Sequence, residues 1–156
     1  MMKKLGLLTL VVAVLALPVQ AEDVVYRKSK VADAKGKQVD ADLVFKDSAK
    51  LLSVQVADRP LAQVPYSAID KLTYDYAKKH RIAQGAIVMV ASLGAGAVVM
   101  LTKSKSHWFT VDYHEDNVPK AIVLRLDKKE YQKVLVTAKS QTGKEITYLK
   151  DAKLKK

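Results

Sequence analysis

The chain has 156 residues, with 27 Lys and Arg against 16 Asp and Glu, and no cysteine. That length suits one domain with a real hydrophobic core. Without a thiol there is no disulfide, no thiolate chemistry and no site for a lipid on cysteine, and a formal charge of +11 points to anionic partners.

Residues 1–21 predict a secretory signal peptide. Lys3 and Lys4 make a positive start, residues 5–17 form an apolar run broken only by Gly6 and Thr9, and Pro18 precedes the small-residue cleavage site Val19-Gln20-Ala21. The run is too short for a membrane span of about 20 residues. Cleavage would leave 25 basic and 16 acidic side chains, a formal charge of +9. In the periplasm or cell envelope, the expected location, such a chain meets anionic headgroups or envelope polyanions rather than nucleic acid. Lysines that merely keep a small protein soluble are the plainer alternative.

Residues 37–79 alternate in short runs, which predicts strands at 41–46, 51–57 and 72–77, with turns at Asp47-Ser48 and Asp58-Arg59-Pro60. In the last run Leu72, Tyr74 and Tyr76 share one face while Thr73, Asp75 and Ala77 share the other, the period-2 mark of a half-buried antiparallel strand. Asp40 and Asp42 fall on one strand face, expected to be its solvent side.

Residues 82–101 carry no charge. Their length matches a membrane span, and basic residues with a tryptophan at the ends match interfacial anchoring. The residues expected to touch the membrane are Lys78, Lys79 and Arg81 before the segment, and Lys103, Lys105 and Trp108 after it. Within it they are Ile87, Val88, Val90, Leu93, Val98, Val99 and Leu101. Gln84, Ser92 and the glycines at 85, 94 and 96 weaken insertion, while the small residues suit close packing against another protein or a second copy. A single crossing would place the strands on either side of the segment on opposite sides of the bilayer, so they could not share a sheet. The alternatives are a dipping hairpin that turns at Gly94-Ala95-Gly96, a membrane-lying helix or helical hairpin with both ends on one face, a buried or self-associating helix, and a true span between two separate halves.

Beyond it, Phe109, Val111 and Tyr113 alternate with Trp108, Thr110 and Asp112, Glu115-Asp116-Asn117 makes a turn, and Ile122, Leu124 and Leu126 alternate again. At Asp127 the period changes to that of a helix, with Asp127 as N-cap and Glu130 completing a capping-box-like start. Tyr131, Val134, Leu135 and Ala138 form its apolar stripe, and Gly143 is placed to end it. Residues 150–156 read as a basic tail.

Three phrases resemble the bacterial PH-like (GRAM-like) domains. They are the third-strand phrase Leu61-Ala62-Gln63-Val64-Pro65-Tyr66-Ser67-Ala68-Ile69, the run Lys105-Ser106-His107-Trp108-Phe109-Thr110-Val111, and the helix opening Asp127-Lys128-Lys129-Glu130-Tyr131. The resemblance covers most of 37–143 and implies a scaffold that binds lipids, peptides or proteins without catalysis. Phosphoinositide-binding members carry a basic motif around the first hairpin. Lys46 and Lys50 flank the corresponding turn here, the fuller motif is absent, and no ligand residue is carried over.

The three histidines, His80, His107 and His114, have no zinc-helix spacing, and His114-Glu115-Asp116 reads as a solvated hairpin tip. No nucleophile elbow, phosphate loop or dinucleotide fingerprint occurs. No catalytic, cofactor or metal residue is therefore assigned, and an enzyme is not expected. The expected fold is mainly β (α+β): a small antiparallel sheet or PH-like barrel closed by a C-terminal amphipathic helix. Residues 22–149 form one domain, with 82–101 as an apolar membrane-associating insertion. The expected function is a non-catalytic envelope module held at a membrane surface by that insertion, binding lipid or an envelope protein. The alternative is a soluble periplasmic or secreted interaction domain whose apolar segment is buried or drives oligomerisation.

Overall fold

The computed structural model describes residues 22–33, 35–79, 87–90, 94–96 and 101–149. The expected signal peptide and basic tail lie outside them.

Four strands come first: β1 (Val24–Ala32), β2 (Gln38–Lys46), β3 (Leu51–Val56) and β4 (Arg59–Pro65). A 3-10 turn, Tyr66–Ala68, leads into β5 (Ile69–Lys79). The short β6 (Ile87–Val90) and β7 (Gly94–Gly96) follow, then β8 (Leu101–Glu115) and β9 (Val118–Leu126). One helix, α1 (Tyr131–Thr142), and a last short strand, β10 (Ile146–Tyr148), complete the described chain.

Turn chemistry explains much of the connectivity. Between β3 and β4 the two residues Ala57 and Asp58 have φ of 49° and 61°, and between β8 and β9 Asp116 and Asn117 have φ of 51° and 62°. Two-residue turns with both central φ positive match the right-handed twist of the strands they join. The β1–β2 turn is held by the Asp33 carboxylate, which accepts from the backbone N–H of Lys35 at 2.9 Å and of Lys37 at 2.8 Å.

Eight strands lie side by side in the order β10-β5-β8-β9-β1-β2-β3-β4, and this sheet is open, with β10 and β4 at its edges. It is mixed, because β10 runs parallel to β5 while the other neighbours on this path are antiparallel. The fold is thus mainly β with one helix, as expected, but not purely antiparallel.

One face carries the core. Leu43, Phe45, Leu72, Phe109, Ile122 and Leu124 are fully buried and pack with Val134, Leu135 and Ala138 of α1. Each such side chain contributes about 1.5–3 kcal/mol by leaving water. Two tyrosines tie the helix to the sheet: the Tyr26 hydroxyl donates to the Lys133 carbonyl at 3.1 Å, and the Tyr66 hydroxyl donates to Gln141 Oε1 at 2.9 Å.

The opposite face of β5 and β8 is buried too, contrary to the half-buried strand expected from the alternation. Thr73 faces Thr110 and Asp75 faces Trp108 across the ladder, and all four are buried. Trp108 is 1% exposed and its Nε1 donates to the Ala77 carbonyl at 2.9 Å. A large ring with its single polar group satisfied is stable in an interior, so Trp108 is a core residue and not the interfacial anchor expected.

Other boundaries shift. The expected turn Asp58-Arg59-Pro60 is shorter, since Arg59 and Pro60 already pair with β3. Residues 127–130 form a turn ahead of α1, in which Glu130 N–H and Tyr131 N–H both donate to the Asp127 carbonyl, at 3.1 and 2.9 Å. Asp127 Oδ1 takes the Lys129 N–H at 2.8 Å, so Asp127 closes this turn, and Glu130 occupies the cap position without a side-chain bond. Gly143 ends the helix as expected, at φ 70° with its N–H on the Lys139 carbonyl at 3.0 Å.

Candidate functional site

The expectation with the greatest functional weight concerned the ends of the apolar segment. β5 and β8 pair from Ile69 opposite Tyr113, through Tyr76 opposite His107, to Ala77 opposite Ser106, and after a register shift meet again at Lys79 opposite Leu101. The chain therefore leaves and re-enters the sheet at one place. A span separating two half-domains is overturned, because the strands before and after the segment share one ladder.

Within the segment, the described residues are strands. Val88, Met89 and Val90 of β6 pair with Gly96, Ala95 and Gly94 of β7. A hairpin is present, yet Gly94-Ala95-Gly96 is one of its strands and not its turn. β6 also runs parallel to β9, with Ile87 beside Lys120 and Val88 beside Ala121. The helical alternatives do not apply to these seven residues. Among the described residues no helix is long and apolar enough to cross a membrane.

β5 and β8 extend past their neighbour. β9 ends at Leu126 opposite His107, so in the described ladders β8 continues from Ser106 back to Leu101 with only β5 beside it. A corner forms between this two-stranded ribbon, the flank of β1 and the 127–130 turn. It holds a cleft of about 380 Å³ lined by Lys28 and Lys30 of β1, Tyr76 of β5, residues 104–107 of β8, Arg125 and Leu126 of β9, and Asp127 and Lys128. Among the described lining residues, five cations thus face one carboxylate.

Their engagements differ. Lys30 forms an ion pair with Asp40, and Arg125 Nη1 donates to Gln38 Oε1 at 2.6 Å. Lys105 Nζ lies 5.9 Å from the centre of the Tyr76 ring, within cation–π range. Lys28 and Lys128 have no ion-pair partner among the described residues, and both are exposed.

An aromatic stack floors the ribbon side. The His107 ring lies 3.9 Å from that of Tyr131 at 11° and 4.8 Å from that of Tyr76 at 29°. His107 Nδ1 and the Tyr74 hydroxyl are 2.7 Å apart. Burial lowers the His107 pKa below its usual value, with Asp127 pulling the other way. Burial, then the neighbouring Tyr131, Tyr76, Tyr148 and Asp75, raises that of the Tyr74 phenol. The phenol therefore stays protonated at neutral pH and can donate to Nδ1 of a neutral imidazole.

Of the expected membrane-contact residues, Lys105 lines the cleft, Lys78 is exposed near the end of β5, and Trp108 is interior. Lys79, Leu101 and Lys103 lie in the ribbon strands, and Ile87, Val88 and Val90 in β6. Arg81, Leu93, Val98 and Val99 fall outside the described residues. Lys46 and Lys50 flank the second hairpin turn, because β1 precedes the strands that alternation revealed, and Lys50 is paired with Asp47 at 2.6 Å. His80 lies outside the described residues, while His114 pairs with Asp70 and Glu115 with Lys120. Among the described residues no group of three such side chains could hold a metal ion. A second cleft, of about 360 Å³, lies between Pro60–Gln63 and the Tyr113 and Glu115 side of β8, with no cation among the described residues that line it.

The sequence reading did not single out Lys28, Lys30, Arg125 or Lys128. The alternating Lys28 and Lys30 were the available signal, and it becomes legible only once β1 is known to be a strand. No protein-family model matches the chain, and no curated protein matches it.

Proposed function

We propose that the protein is a non-catalytic, exported binding module of PH-like build, held at a membrane surface by its apolar insertion and binding lipid or an envelope protein there. The observation that carries this reading is the pairing of Lys79 with Leu101. It lets the segment approach a bilayer while the whole sheet stays on one side, with a cationic cleft at the base of the same ribbon. Four consecutive strands, a further β5-β8-β9 trio and a helix packed on their common core support the PH-like comparison.

The parallel pairing of β6 with β9 favours a second reading, in which the segment belongs to the fold and the module is soluble. Sedimentation with phosphatidylglycerol vesicles separates the two. The membrane reading expects co-sedimentation that is lost when Leu93, Val98 and Val99 are replaced by serine. A protein that stays in the supernatant is the soluble module, and one that sediments equally after the replacement is not held by its insertion. The mass of the N-terminus in the envelope fraction tests export, with cleavage after Ala21 expected.

A further inference from the structure

We infer that the cleft beside the ribbon is a binding site for a phosphate ester. The inference deepens the binding-module reading and rests on it only in that the ligand is held and not transformed.

Charge is the first argument. Lys28, Lys30, Lys105, Arg125 and Lys128 reach one cleft from two strands of the sheet, the ribbon and the turn before α1. Two carboxylates offset part of this charge, Asp127 in the lining, whose Oδ1 also takes the Lys129 N–H, and Asp40, which pairs with Lys30 from outside the lining. Cations gathered in this way repel one another, and within a Debye length of about 8 Å the repulsion is only partly screened. A doubly charged phosphate monoester relieves more of what remains than a single carboxylate does.

Donor geometry is the second. Arg125 gives one Nη to Gln38, which orients the guanidinium while leaving its other N–H donors available, and a planar fork suits phosphate oxygens. Lysine ammonium groups with no carboxylate partner supply the point charges. The third argument is size. A cleft of about 380 Å³ holds more than an inorganic phosphate, and the ring of Tyr76 beside Lys105 offers the esterified group an apolar wall. This fits a phosphate bearing an organic substituent, which a lipid headgroup and a soluble phosphate ester both provide.

The test uses the purified protein with glycerol 1-phosphate as probe, followed by amide chemical shifts. Saturable shifts confined to residues 28–30, 104–107 and 125–128 are expected. The double variant Lys28→Ser, Lys128→Ser should bind roughly tenfold more weakly, the size expected for two solvated charges. Lys46→Ser with Lys50→Ser removes the same charge elsewhere and should bind as wild type. Both pairs are built mainly from exposed positions, and the wild-type shift map stands even if a variant folds poorly. Linear, scattered shifts, or equal weakening by both double variants, overturn the site. Displacement of the probe by vesicles containing phosphatidic acid, whose headgroup is a phosphate monoester, identifies a lipid headgroup as the source, and retention identifies a soluble ester. The Leu93, Val98 and Val99 serine variant should keep probe binding, so loss of membrane attachment and loss of the cleft are read separately.

Discussion

The two faces of the β5–β8 ladder are both buried, but they are made of different material. One presents Leu72, Tyr74, Phe109 and Val111 to the helix-covered core, whereas the other presents Thr73, Asp75, Trp108 and Thr110. The first is stabilised by area removed from water. The second holds polar groups that must each find a partner, because an unpaired buried donor or acceptor costs about 1–3 kcal/mol. Burial and apolarity are therefore separate properties of a strand face, and alternation in a sequence reports only the second.

The sharpest way to break the contrast is to remove a large, fully buried ring from each face. If the polar face is a true interior, Trp108→Ala should destabilise by about 3–5 kcal/mol, as much as Phe109→Ala, in denaturant unfolding. A Trp108 variant within about 0.5 kcal/mol of wild type would mean that this face is only loosely covered.

A smaller effect is expected at Ser53, on the same side of the sheet in β3. Its Oγ is buried with no hydrogen-bond partner among the described residues. Ser53→Ala should leave stability unchanged or raise it by up to about 1 kcal/mol, because the variant buries no unpaired hydroxyl. A clear loss of stability would show that the hydroxyl has a partner.

The smallest effect concerns Asp112, opposite Lys71 on the polar face. Burial raises its pKa, with Lys71 opposing and Asp70 adding to the rise. A folded-state value above that of the unfolded chain means the native state binds the proton more tightly. The associated stability is present below about pH 3.8 and is lost as pH rises through the folded value. Asp112→Asn should flatten the pH dependence of the melting temperature in that acidic window, and an unchanged slope would assign the dependence to other carboxylates.

The apolar face was readable because its period is local: 72, 74, 109, 111, 122 and 124 each follow from their neighbours, as do the helix stripe and Gly143. β1 was not readable. Its sequence, VVYRKSKVA, mixes four apolar residues with three bases, and a register shift between Tyr26 and Ser29 breaks the alternation. β10 is three residues long and takes its strand character from parallel pairing with β5. The cleft inherits this difficulty, since its cations come from positions 28, 30, 105, 125 and 128, which only the strand order brings together. The apolar segment was conspicuous for the opposite reason, a local run of uncharged residues. What its two ends did could be learned only from the ladder between Lys79 and Leu101.

That ladder also determines how the molecule carries load. Because β5 and β8 flank the insertion, a pull on it along the ribbon draws both strands the same way and does not unzip one from the other. The strain passes to their outer neighbours, above all to the β8–β9 register from His107–Leu126 to Glu115–Val118, where many hydrogen bonds resist sliding together. A module tethered by its insertion would then be mechanically strong along the direction of its tether and weak across it.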